Sequence, residues 1–238
     1  MNAGQFRFRM TVPQRVFGIL MLPVHVLLIP WLVALLARTL YVNYGVLMNT
    51  AYINLACYGV SFVLILVFMF SFLRDSFCDI FDDLPRFFAS ILIYVVAYYL
   101  LAYIVNALSL VIMPEDISNP NNDGVMDAVK EGRNVMLVTA VIFGTIVEEC
   151  IFRGAIFGTL RTRSRAAAYI VSAALFALYH LWSYLLTDFS WPLVLTLIQY
   201  VPGGVVLARC YERSGTIWAS VAVHAVVNVV AFSVAMNL

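Results

Sequence analysis

Glu148, Glu149 and Arg153 lie within six residues of one another inside the apolar run Val135 to Leu160. Glu149 and Arg153 are spaced i,i+4 with the carboxylate on the N-terminal side, the better orientation for an ion pair along one helical face. Glu148 lies about 100° round the helix from Glu149, so its carboxylate is left unpaired. His180 follows Phe176 by four residues in a second apolar run, and His224 precedes Asn228 by four in a third, which puts each pair on one helical face. A carboxylate and a His around one water can activate it for attack on a carbonyl, because each accepts or passes on a proton. A second His and an Asn on a common face can donate hydrogen bonds to the oxyanion that then develops, and a dry site strengthens those bonds. This combination predicts amide hydrolysis inside a membrane. The same residues admit two other readings: Glu148 and two His as ligands of Zn²⁺, or a Glu–His proton relay in a carrier. Against zinc, the spacing is not H-E-x-x-H; against transport, other intramembrane charges are few and no internal repeat is visible.

The elements that must position these residues follow from composition. The chain has 238 residues, of which 63% are hydrophobic and 11% charged, against roughly 45–50% and 25% in soluble domains. A chain of this length cannot bury so much apolar surface in its own core, which excludes a soluble enzyme. A formal charge of +1 and the absence of a Gly repeat exclude nucleic-acid-coating, disordered and collagenous classes. The apolar runs are long and do not alternate, so they predict helices of spanning length. There are about seven: Val16 to Ala37, Ala51 to Leu73, Phe87 to Met113, Val135 to Leu160, Ala166 to Leu186, Trp191 to Ala208 and Thr216 to Val234. The fold class is therefore all-α, a polytopic transmembrane helical bundle. The first run is longer than a signal-peptide core and lacks an A-x-A site, so it reads as a membrane anchor. Cys57, Cys78, Cys150 and Cys210 show no pairing pattern, and no disulfide is expected.

Orientation follows from Lys and Arg, which collect in cytoplasmic loops. With the N-terminus inside, the inner segments hold Arg7, Arg9, Arg15, Arg74, Arg86, Arg161, Arg163, Arg165, Arg209 and Arg213, and the outer ones hold Arg38, Lys130 and Arg133. Ten against three favours N-in, C-out. Arg161, Arg163 and Arg165 read as a solvated stop between two helices. The polar connection Pro114 to Arg133 carries turn residues at Asn119 to Gly124, and Val125 to Glu131 suits a short amphipathic helix on the outer surface. His25, between Pro23 and Pro30, reads as a packing residue. From the inner helix ends, the 1.5 Å rise places Glu148 about 18 Å deep, His180 about 21 Å, His224 about 12 Å and Asn228 about 18 Å. Four polar groups from three helices thus fall in one layer, and an opening toward the cytoplasmic half is expected. Of 27 charged side chains, only Glu148, Glu149 and Arg153 lie deep in a segment, where each costs roughly 2.5–3.5 kcal/mol on insertion scales unless paired and inward-facing.

Glu148 to Arg153 matches E-E-x-x-x-R, Phe176 to His180 matches F-x-x-x-H, and His224 to Asn228 matches H-x-x-x-N. In this order on separate apolar segments, and with Pro202-Gly203-Gly204 and Ser214 to Trp218 before the last motif, the chain resembles the CPBP family. These are the CAAX-protease, bacteriocin-processing and abortive-infection membrane endopeptidases. The resemblance covers Val135 to Phe232, so residues 1–134 read as N-terminal membrane helices and 135–238 as the catalytic core. It implies Glu148 as general base, His180 as the residue that helps hold and polarise the water, a Glu149–Arg153 pair, and His224 with Asn228 as the oxyanion hole. Phe176 is a motif residue with a packing role. A peptide or protein substrate at the membrane is implied, with the bilayer as surroundings, no nucleic acid, and no cofactor, Zn²⁺ being the alternative. The rival from another class is a non-catalytic membrane immunity or scaffold protein that keeps the motifs as a polar core.

Overall fold

The computed structural model describes residues 6, 8–112, 119–187 and 189–237; Arg7 and the 113–118 part of the third segment and polar connection lie outside them. Among the described residues there is no strand. Seven helices within the described residues are long and apolar enough to cross a membrane: α1 Val12–Tyr44, α2 Thr50–Asp82, α3 Leu84–Ile112, α4 Pro120–Arg161, α5 Arg165–Thr187, α6 Trp191–Ser214 and α7, which runs Ile217–Asn237. The chain is an integral multi-pass membrane protein. Its lipid-facing surface is a wide apolar belt, with Trp31, Val63, Phe70, Leu92, Leu100 and Ile104 all exposed.

The helices outrun the predicted apolar segments because polar residues cap and extend them. Thr11 and Gln14 form a reciprocal capping box at the start of α1, and the side chains of Asn49 and Ser190 cap α2 and α6. The largest difference lies at Asn119 to Gly124, expected as a turn. Asn119 accepts the backbone N–H of Asn122 and Pro120 sits in the first turn, so these residues start a helix. That helix includes the predicted amphipathic stretch, with Ala128 and Val129 packed against Ala51, Met136 and Phe232. The helical conformation breaks at Gly132 (φ −167°, ψ 72°), where a Cβ would lie 2.7 Å from that of Ala51. The 120–131 arm thus folds over one end of the bundle, and the rest of α4 runs through it.

Small residues bring the helices around α4 close together, as membrane packing favours. Gly18 of α1 rests on Ala155, Gly154 on Met10 and Phe72, and Gly158 on Phe8. Gly204 of α6 meets Ala173 of α5 so closely that a Cβ would sit 2.7 Å from the Ala173 Cα. One buried cluster accordingly joins Met21 of α1, Met69 of α2, Phe152 of α4, Phe176 of α5 and Tyr211 of α6.

The helix ends sort into two sets. At one end Arg9 pairs with Asp79, and Arg86 donates to the Arg213 carbonyl. The Thr216 hydroxyl there donates to Ser76 O at 2.6 Å, and the Trp218 indole to Leu73 O at 3.0 Å. Gly215, at φ 82°, makes the tight turn between α6 and α7 that these contacts fix. The Arg161 to Arg165 stretch is more than a solvated stop. Arg161, Arg165 and Arg209 all bind the buried Glu212 carboxylate at 2.5, 3.0 and 2.8 Å, and the Tyr169 hydroxyl joins them at 2.8 Å. At the opposite, Arg-poor end, the Asn119 amide donates to Gln199 at 2.9 Å and that of Asn121 to the Tyr200 hydroxyl at 3.1 Å.

Candidate active site

Glu148 and Glu149 stand in a short α-helical stretch between two π-helical turns of α4, Thr139–Gly144 and Cys150–Phe157. Such turns widen the helix and recur at functional sites. Glu149 is fully buried. Its Oε1 is ion-paired with Arg153 Nη1 at 3.0 Å and accepts from His224 Nδ1 at 2.9 Å. Arg153, equally buried, also donates Nη2 to the Gly203 carbonyl at 2.8 Å, and its guanidinium lies 4.2 Å over the Phe176 ring. The i,i+4 ion pair read from spacing is therefore present, and α5, α6 and α7 all hold on to it. Phe176 does more than fill space: it also packs edge-on to His180 and His224, at centroid distances of 4.7 and 6.0 Å.

Glu148 takes a different environment. Its Oε1 accepts from the Tyr58 hydroxyl at 3.2 Å, while its buried Oε2 has no hydrogen-bond partner among the described residues and lies 3.9 Å from His224 Nε2. Gly144, one turn earlier, leaves room for both groups: a Cβ there would be 3.5 Å from Tyr58 Cε1 and 3.8 Å from Glu148 Oε1.

Hydrogen-bond partners set the histidine tautomers. His180 Nδ1 faces the Phe176 carbonyl at 2.8 Å and must donate to it. Its Nε2 is then a proton acceptor, and its ring stacks on Tyr200 at 4.3 Å between centroids. His224 Nδ1 donates to the Glu149 carboxylate, so its Nε2 donates only once a further proton arrives. Asn228 Nδ2 donates to the Ala140 carbonyl at 2.9 Å, leaving its second N–H. Glu148, His180, His224 and Asn228 all line one cavity of about 750 Å³.

Three further groups at this cavity were not singled out by the sequence. Tyr58 and Tyr179 share a hydrogen bond of 2.7 Å, and Tyr179 meets His25 Nε2 at 2.9 Å. The other nitrogen of His25 meets the Ser61 hydroxyl at 2.7 Å. His25 is thus no isolated packing residue; it ends a polar chain that begins at Glu148. Its place between Pro23 and Pro30 was the available signal, and the structure puts it in a π-helical turn there. The tyrosines, two of thirteen, carried none. Among the described residues no group of three or more His, Cys, Asp or Glu is arranged to hold a metal ion.

The cavity also runs the other way from the expected opening. Its floor is Glu148, Leu207 and His224, and its exposed lining residues Asn106, Asn122, Ser183 and Ala231 all lie toward the Arg-poor end.

Residues 131–230 match the family model described as Rce1-like, the type II CAAX prenyl endopeptidase Rce1-like proteins. The likeness extends over 100 of the 238 residues. The match agrees with the CPBP resemblance and contains the three motifs. No curated protein and no solved structure matches the chain. The likeness supports a CAAX-type intramembrane protease in general terms, with a peptide or protein substrate and the bilayer as its surroundings.

Proposed function

We propose that the chain is a glutamate-type intramembrane endopeptidase that hydrolyses peptide bonds of membrane-associated or lipid-modified polypeptides. The observation that carries this reading is the division of labour between adjacent carboxylates. Glu149 is ion-paired with Arg153, takes the His224 N–H and stands outside the cavity lining, whereas Glu148 lines the cavity floor with only the Tyr58 hydroxyl bonded to it among the described residues and His224 Nε2 at 3.9 Å. A group with that freedom can take a proton from water. In the proposed sequence, Glu148 and the acceptor Nε2 of His180 hold a water, and Glu148 receives its proton as the oxygen attacks the carbonyl carbon. The carbonyl π pair moves to oxygen. His224, once protonated at Nε2, and the second N–H of Asn228 donate to that oxyanion. Collapse expels the amine, which takes the proton from Glu148, leaving a carboxylic acid and an amine.

In this reading no metal takes part. Full activity after exhaustive chelation is the expected result, and activity lost on chelation and restored by Zn²⁺ would move water activation from Glu148 to a metal. The Arg distribution favours N-in, C-out. The test of function compares the membrane-bound peptides of cells making the wild-type or the Glu148→Gln chain. Peptides that lengthen or accumulate only with the variant support hydrolysis. A cellular phenotype that survives alanine at Glu148, His180 and His224 together would instead assign the chain a non-catalytic role.

A further inference from the structure

We infer that the substrate is an uncharged, extended polypeptide segment that reaches Glu148 from the non-cytoplasmic face, through the Arg-poor end of the bundle. This deepens the proposed hydrolysis and rests on it for the word substrate. Two independent observations meet here. The first is direction: Glu148 stands thirteen residues before Arg161, about 20 Å from the Arg-rich end at 1.5 Å per residue. The exposed mouth residues include Asn122 at the start of α4, Ser183 four residues before the end of α5, and Asn106 six before the end of α3. Arg-rich loops stay on the cytoplasmic side, so the mouth faces away from it.

The second is chemistry. Among the described lining residues Glu148 is the sole carboxylate, and no Lys or Arg is present. A charged substrate residue would therefore lose its water without gaining a counter-ion beyond the catalytic group. An extended backbone at membrane depth must instead have its N–H and C=O groups met by the protein. The walls provide side-chain amides suited to that, since amides both donate and accept: Asn106, Asn122, Gln199 and Asn54, the last with one N–H spent on the Thr50 carbonyl at 3.0 Å. Gln199 uses its oxygen on Asn119 and keeps its N–H groups.

The test uses the Glu148→Gln chain in cell membranes, with Cys57 and Cys78 replaced by Ser. Asn122→Cys is treated with a membrane-impermeant maleimide before and after permeabilisation, and Ser183→Cys serves as a second reporter. A Glu148→Gln chain that retains the exposed Cys78 reports the opposite end. Both mouth cysteines should label in intact cells about tenfold more than Cys78; labelling of Cys78 without the mouth overturns the face. A blocked peptide of Ala, Ser and Val at millimolar concentration should slow Asn122→Cys labelling about threefold, and the same peptide with a central Lys should not. Equal slowing, or none by the neutral peptide, overturns the substrate class. Labelling needs no turnover, so these failures are distinct from failure of the hydrolytic reading, which retained cleavage by Glu148→Gln would bring.

Discussion

Replacing Glu149 by Gln removes one negative charge and nothing else of comparable size. In the native site the Glu149 carboxylate is ion-paired with Arg153 at 3.0 Å and accepts from His224 at 2.9 Å, and both charged partners of the ion pair are buried, at 0% and 1% side-chain exposure. Gln keeps an oxygen that can still face both partners, but it carries no formal charge. Arg153 would then retain its bond to Gly203 and its place over Phe176, but neither supplies a formal charge. Removing one partner of a buried pair costs about 3–5 kcal/mol, because the other is left uncompensated. At about 2–4 °C per kcal/mol for a chain of this size, the midpoint of thermal unfolding in detergent should fall by about 6–20 °C, with a matching loss of membrane yield. The double variant Glu149→Gln/Arg153→Met removes both charges and should recover much of the loss. A single variant that melts within about 1 °C of wild type would refute the view that this pair is what holds α4 to α6 and α7.

Three further outcomes follow from other contacts. Tyr58→Phe removes the donor to Glu148 Oε1 and should lower kcat about tenfold or more, since a hydrogen bond to a charged group is worth about 1.5–3 kcal/mol; steady-state kinetics on a substrate peptide would show it, with melting little changed. Gly204→Ala forces a Cβ to within 2.7 Å of the Ala173 backbone, and the overpacking should cost about 1–3 kcal/mol, read as reduced thermal stability. Glu212→Gln loosens Arg161, Arg165 and Arg209 together; because these arginines are partly solvated, the loss should be only about 1–2 kcal/mol and should shrink as salt is raised.

The apolar runs made the bundle legible because a bilayer accepts few other solutions, and the i,i+4 rule placed Glu149 on Arg153 before any coordinates. Asn119 to Gly124, the start of that arm, was misread as a turn because Asn, Pro, Asp and Gly signal a helix start as readily as a turn, and only packing on Ala51 and Phe232 decides between them. Tyr58, Tyr179 and His25 come from three different helices at separations of 121, 154 and, for Tyr58 to Glu148, 90 residues. No local spacing encodes such contacts. The direction of the cavity was missed for a related reason: depth along one helix does not say which end its neighbours leave open. The role of Glu212 as anchor for three arginines was hidden because Arg161 and Arg165 lie on other helices, and only Arg209, three residues before it on α6, falls within a local spacing rule.

The central claim is that Glu148 takes the proton of the attacking water. It is tested most directly in proteoliposomes, with a peptide that accumulates in cells carrying Glu148→Gln, by comparing turnover of the wild-type and Glu148→Gln chains under matched loading. The carboxamide preserves shape and the Tyr58 contact but cannot accept that proton. The account predicts an unchanged unfolding midpoint and a rate lowered by at least about a hundredfold, the lower range for removing a general base. Turnover by a fully folded Glu148→Gln chain within about threefold of wild type would contradict it.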